Sequence, residues 1–285
     1  MKNPLLACLA LLVVVCIEVN AQTLTNLWEV SGLEAPESVI FDEKQNMYYV
    51  ANVTGDPTQK DGSGYISQID KNGKIVNQKW VTGLDAPKGM GIDNGKLYVS
   101  DIDQVAVIDI ATGSIEKKYS APGATFLNDL AIAGNGDVYI SDTFINVIYR
   151  ISNDKIEQWF ADEKLDFPNG LFVKGNEIFV ASWGQVASDE TPNAVKGRIY
   201  KISLKDKKVT EISKPFANGD GLAAYKNGFI VSDWIAGKIF FVDNKGIDKE
   251  IGSYNMGTAD LALATGNVLL IPQMSEGKLL AFSLK

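Results

Sequence analysis

The chain has 285 residues, carries a formal net charge of −8 and contains no histidine. Without imidazole, a Ser-His-Asp triad, a histidine general base and a histidine-ligated zinc site are all excluded. An acidic balance gains nothing from a phosphate backbone, so no nucleic-acid partner is expected.

Residues 1–21 read as a secretory signal peptide. Lys2 gives the positive start, Leu5 to Val15 is an apolar run, and Val19-Asn20-Ala21 offers small residues before Gln22. The run is too short to span a bilayer comfortably. Lipidation at Cys16 is disfavoured by the bulk of Val15. Both cysteines, Cys8 and Cys16, lie in this leader, so the mature chain has no thiol and any metal it holds needs oxygen ligands. We expect an exported protein, periplasmic or secreted, with no membrane span in the mature chain.

Residues 22–285 read as one domain. Apolar runs of five to seven residues, rich in Val, Ile, Tyr and Phe, alternate with turn pairs such as Asn72-Gly73, Asn94-Gly95, Asn135-Gly136 and Asn227-Gly228. A short pattern recurs six times, beginning at Glu37, Lys88, Asn128, Asn169, Asp220 and Ala259. The spacings of 51, 40, 41, 51 and 39 residues imply an array of one small unit. Four strands fit each of the first five units, for example 128–133, 137–142, 147–152 and 155–161. The sixth ends one strand short, and residues 25–32 supply it. The predicted fold is all-β: a six-bladed β-propeller whose last blade is closed by the N-terminal strand.

In that fold the first strand of each blade lines the central channel, and the six repeat-opening residues ring one mouth. Glu37, Asn128, Asn169 and Asp220 then present oxygens to the axis, a donor set suited to calcium. Asn169-Gly170 and Asp220-Gly221 also have a plainer reading as turn dipeptides. The two 51-residue intervals place insertions at 53–64 and 184–197, facing each other across the same mouth. Phe144, Trp183, Trp234 and Met274 end second strands there and could form an apolar wall or pack between blades. Asp101, Asp142 and Asp233 repeat in three blades, which favours capping of backbone N–H groups.

The repeats resemble the senescence-marker-protein/gluconolactonase family of six-bladed propellers, itself similar to calcium-dependent diisopropylfluorophosphatases. The resemblance rests on Glu37-Ser38-Val39-Ile40-Phe41-Asp42, Leu127-Asn128-Asp129, Pro168-Asn169-Gly170-Leu171 and Asp220-Gly221-Leu222. It implies that Glu37, Asn169 and Asp220 hold a catalytic calcium, that Asn128 binds metal or substrate, and that Asp220 is base or nucleophile. Three positions depart from the family pattern. Phe126 stands where sugar-lactone hydrolases tend to have arginine, which points to a more apolar ligand. Val39 replaces a proline. Lys88 occupies the ring position beside Glu37, where it could clamp an anionic substrate, pair with Glu37 or tip into solvent.

The expected function is a calcium-dependent hydrolase of small activated esters, lactonase-like or phosphotriesterase-like, acting as a monomer on a small molecule. Lys88, Phe126, Phe144, Trp183, Trp234 and Asn128 are its candidate substrate contacts. The rival expectation is a non-catalytic propeller that binds a protein, peptide or glycan at the same face.

Overall fold

The computed structural model describes residues 22–186, 188, 191 and 194–285. The leader assigned to 1–21 lies outside the described residues, as do positions 187, 189, 190, 192 and 193 of the second insertion.

Six four-stranded antiparallel sheets account for almost all of the regular structure. The inner strands are Pro36–Asp42, Pro87–Asp93, Leu127–Ile132, Pro168–Lys174, Gly219–Tyr225 and the short Ala262–Ala264. The sixth sheet runs outward from Ala262–Ala264 through Val268–Gln273 and Lys278–Leu284 to Leu24–Ser31. Leu24 pairs with Leu284 and Ser31 with Lys278, so the chain's beginning and end meet in one blade. The predicted ring and its closure are therefore present. Among the described residues the only helical turns are the 3-10 turns Glu163–Leu165 and Met274–Glu276, and no helix is long and apolar enough to cross a membrane.

The core lies between blades, not on the axis. Each of the six blade interfaces has its own apolar cluster. Tyr49 and Ile66 of blade 1 meet Leu97 and Val99 of blade 2. Val105 of blade 2 meets Leu127 and Ile140 of blade 3. The same arrangement recurs round the ring to blade 6, where Leu270 and Leu279 meet Val39 and Val50. Strands are dictated by β-branched and aromatic residues that fill both faces of a middle strand, as in the wholly buried Val138–Asp142. Outer strands alternate instead, and Ser114–Ser120 turns every second residue to solvent.

This architecture fixes the mouth. In five blades the ladder between first and second strands slips at the repeat-opening residue. The register jumps from Pro36 to Ser38, Pro87 to Met90, Leu127 to Leu130, Pro168 to Leu171 and Gly219 to Leu222. A bulge of this kind takes a residue out of the alternation and re-aims its side chain. Here it turns Glu37, Lys88, Asn128, Asn169 and Asp220 towards the axis. Hydroxyl groups, Ser38 on the first strand of blade 1 and Ser100, Ser141 and Ser232 on second strands, then tie blade to blade. Ser38 Oγ donates to the carbonyl of Lys88 (2.5 Å), Ser141 Oγ to that of Asn169 (2.8 Å) and Ser232 Oγ to that of Ala259 (2.8 Å). Ser100 makes the equivalent bond to Asn128.

The glycines after two ring residues serve crowding, not turn formation. Neither Gly170 nor Gly221 has a positive φ. A Cβ on Gly170 would lie 2.0 Å from the Asp220 carbonyl oxygen, and one on Gly221 would lie 2.2 Å from the Leu261 nitrogen. Inner strands pack too closely there for any side chain, so the turn-dipeptide reading does not hold.

Candidate active site at the channel mouth

One chamber of about 130 Å³ gathers the predicted ring. Glu37, Lys88, Asn128, Asn169 and Asp220 line it, with Phe126, Trp183, Trp234 and Met274 as apolar walls. All five ring side chains are buried. Phe144 lies off this chamber. Its ring stacks on Phe126 with centroids 4.3 Å apart, and it is 55% exposed. Trp183 and Trp234 face each other at 5.9 Å. The second strands end at Ser182, Asp233 and Gln273, so Trp183, Trp234 and Met274 stand one residue beyond them.

Amide groups are oriented by what their NH₂ ends bind. Asn169 Nδ2 donates to Asp220 Oδ1 at 2.8 Å, which leaves Asn169 Oδ1 buried without a donor. Asn128 Nδ2 donates to Thr143 Oγ1 at 3.2 Å, and that hydroxyl donates on to the carbonyl of Pro168 at 2.9 Å. Glu37 Oε2 is likewise buried and unpartnered. Two orphaned acceptors in one enclosed chamber are costly for a protein to leave unmatched. Both belong to the predicted ligand set, and a hard cation is the species that satisfies oxygens of this kind. The residues present therefore fit calcium, with Glu37, Asn169, Asp220 and Asn128 as the donors. No three His, Cys, Asp or Glu side chains cluster as a metal site among the described residues. The donor set is half amide, so it supplies two carboxylates, not three.

Electrostatics agree with an electron-rich pocket. Burial, followed by the charge of Asp220, raises the Glu37 carboxyl well above its ordinary range, against the pull of Lys88. Burial and then Asp129 push Asp220 up to about 7, although the Asn169 hydrogen bond acts in the other direction. A bound cation would lower both.

Lys88 does not tip into solvent. It is buried, and its Nζ donates to the carbonyls of Ala86 (3.0 Å) and Pro57 (3.2 Å) and sits 4.4 Å from the Phe126 ring centroid. Burial lowers its pKa, while Glu37 and Asp101 act to restore it. No ion pair joins Lys88 to Glu37 among the described residues.

Pro57 belongs to the first insertion, and Gln185 and Val186 of the second border the adjoining space, so both insertions do reach this mouth. Each is tied back to a neighbouring blade by an ion pair, Lys60 to Asp103 and Lys196 to the buried Asp233 (2.8 Å). The capping role expected of the repeated aspartates holds. Asp101 accepts from the N–H groups of Asp85 and Ala86, Asp142 from those of Thr125 and Phe126, and Asp233 from that of Ala236.

Two acids escaped the sequence reading. Asp129 and Asp260 occupy the second repeat position, where the other copies have Ser38, Gly89, Gly170 and Gly221, and they face the far end of the channel. Asp129 is pushed up to about 7 by burial, and Asp260 rises well above its usual range from burial and the charges of Asp129, Glu37 and Asp220. Comparing second positions across the six copies would have exposed them.

The chain matches no protein-family model and no curated protein by sequence. Solved structures share its fold. A gluconolactonase from Xanthomonas campestris aligns with a TM-score of 0.69 at 16% identity, covering 92% of this chain and 89% of that one. Virginiamycin B lyase from Staphylococcus aureus aligns at 0.61 and 16% identity, over 93% of this chain and 100% of that one. A streptogramin B lyase aligns at 0.62 and 14% identity, over 93% and 98%. At these identities the likeness establishes the six-bladed propeller and nothing finer.

Proposed function

We propose that the protein is an exported, monomeric, calcium-dependent hydrolase of small activated esters, related to the gluconolactonase-like propellers. The observation that carries this reading is the pair of unpartnered buried oxygens, Glu37 Oε2 and Asn169 Oδ1, in the chamber that also holds Asp220 and Asn128. A calcium ion held there supplies polarisation of a carbonyl or phosphoryl oxygen. The chain's own groups do the rest. Asp220 is fixed by Asn169 through one oxygen, and its other oxygen accepts no hydrogen bond among the described residues. That oxygen is available as base or nucleophile. Lys88, buried in the ring and anchored by two carbonyls, is placed to stabilise negative charge that develops on the substrate. Phe126, Trp183, Trp234 and Met274 limit water around the reacting group.

Turnover of a panel of lactones and aryl phosphates, with calcium and with chelator, tests the reading. Calcium-dependent hydrolysis is expected, and Asp220→Asn should lower it by on the order of 10²–10⁴ while the fold persists. A wild-type protein that binds calcium yet turns over nothing on the panel would favour the non-catalytic binding reading.

A further inference from the structure

Beside the ring chamber, between blades 3 and 4, lies a larger cavity of about 440 Å³. The two spaces are continuous, because Phe126, Asn128 and Trp183 line both. Their chemistry differs sharply. The ring chamber holds three charged side chains, Glu37, Lys88 and Asp220, whereas among the described residues none that lines the larger cavity is charged. Its walls are Phe126, Phe144, Phe167, Trp183 and Val186. The Asn128 NH₂ group and the Thr143 hydroxyl are committed to each other and to the Pro168 carbonyl, and the Thr191 hydroxyl donates to the Val186 carbonyl, so the polar groups left on the described lining are few for a polyhydroxylated ligand.

One of these aromatic residues sits in a costly backbone conformation and another is largely exposed. Phe167 has φ of +61°, a left-handed conformation unfavourable for a bulky residue. It is kept there by its N–H donating to Asn146 Oδ1 (2.7 Å) and by its carbonyl accepting from the N–H of Trp183 (2.8 Å). Phe144 is stacked on Phe126 while more than half exposed. An exposed aromatic wall running into a chamber of reactive groups marks a place for the apolar part of a ligand.

We infer that this compartment receives an uncharged alkyl arm of the substrate, so that the preferred substrates are alkyl-substituted lactones and not sugar lactones. The arm lies along Phe144, Phe167 and Trp183, and the ester group reaches the ring past Phe126 and Asn128. This rests on the hydrolase reading for the reacting group, but the compartment can be tested without turnover.

The binding test uses metal-free protein and the fluorescent probe N-phenyl-1-naphthylamine, displaced by n-alkanols from butanol to decanol. Displacement is expected to strengthen about fourfold for each added methylene until the cavity is filled. Phe144→Gln should weaken it severalfold. Phe144 is exposed, so this substitution does not threaten folding. Displacement independent of chain length, or undiminished in Phe144→Gln, overturns the inference. The catalytic test compares calcium-loaded protein on γ-butyrolactone, γ-nonalactone, γ-dodecalactone and glucono-δ-lactone. kcat/KM should climb along the alkyl series and be lowest for the sugar lactone. Hydrolysis with no chain-length preference sinks the inference and leaves the hydrolase intact. Chain-length-dependent alkanol binding with no hydrolysis at all sinks the hydrolase and leaves the compartment.

Discussion

The two ends of the central channel are built from the same repeat, yet they have opposite characters. At the proposed active mouth the repeat's first position changes type in nearly every copy: Glu37, Lys88, Asn128, Asn169, Asp220, Ala259. Two positions on, the ring reads Val39, Met90, Leu130, Leu171, Leu222 and Leu261, all buried and all apolar. Uniform positions close the channel by packing. Heterogeneous positions gather different chemistries at one point. The buried acids show the same division. Asp129 accepts backbone N–H bonds from Leu130 (2.6 Å) and Leu171 (2.5 Å), so it joins blade 3 to blade 4. Glu37, equally buried, has an oxygen with no partner. One carboxylate is satisfied by the fold, and the other has an oxygen that the fold leaves unmatched.

This contrast can be broken at several points. The harshest is Gly170→Ala, which drives a methyl group into the Asp220 carbonyl at the tightest approach between ring strands. It should cost about 3 kcal/mol or more, read from chemical denaturation. Next, Asp129→Asn places an NH₂ group against one of two backbone N–H donors. A loss of about 2–3 kcal/mol is expected. Glu37→Gln should lose nothing comparable in the absence of calcium, because the unpartnered Glu37 oxygen has no hydrogen bond to lose. Equal destabilisation of the two variants would erase the distinction between structural and functional acids.

A gentler perturbation is pH. Asp129 and Asp220 are each raised to about 7 in the folded protein, against an ordinary value of 3.8. Between those values the native state holds protons that the unfolded chain has released, so stability falls as pH rises from about 4 to about 7. The metal-free protein should therefore melt at a lower temperature at pH 7.5 than at pH 5. Calcium should narrow the gap, because it favours the ionised form of Asp220. A melting temperature that rises over this window would show that burial is not what governs these groups.

Much of this was legible in the sequence because it is periodic. The six repeats predicted the blades, the missing strand predicted the closure by residues 25–32, and the 51-residue intervals located both insertions on one face. What escaped depends on geometry that no period carries. The bulges that aim the ring inward are register slips, invisible in hydropathy. The freeing of Asn169 Oδ1 depends on which end of the amide binds Asp220. The choice of glycine at 170 and 221 comes from strands of different blades meeting within 2.0–2.2 Å of a would-be Cβ. The cavity beside the ring is lined by Phe126, Phe144, Phe167 and Trp183. Phe126 and Phe167 each stand two residues before a ring asparagine, a repeat the sequence does show, but Phe144 and Trp183 follow their second strands at different distances and only the fold brings the four together.

The central claim is that Glu37 and Asn169 offer their unpartnered oxygens to a hard cation. Titration calorimetry with calcium on chelator-treated protein tests it most directly. The account predicts about one ion per chain, with binding abolished or weakened at least tenfold in Glu37→Gln. Absence of calcium binding, or identical affinity in wild type and Glu37→Gln, would contradict it.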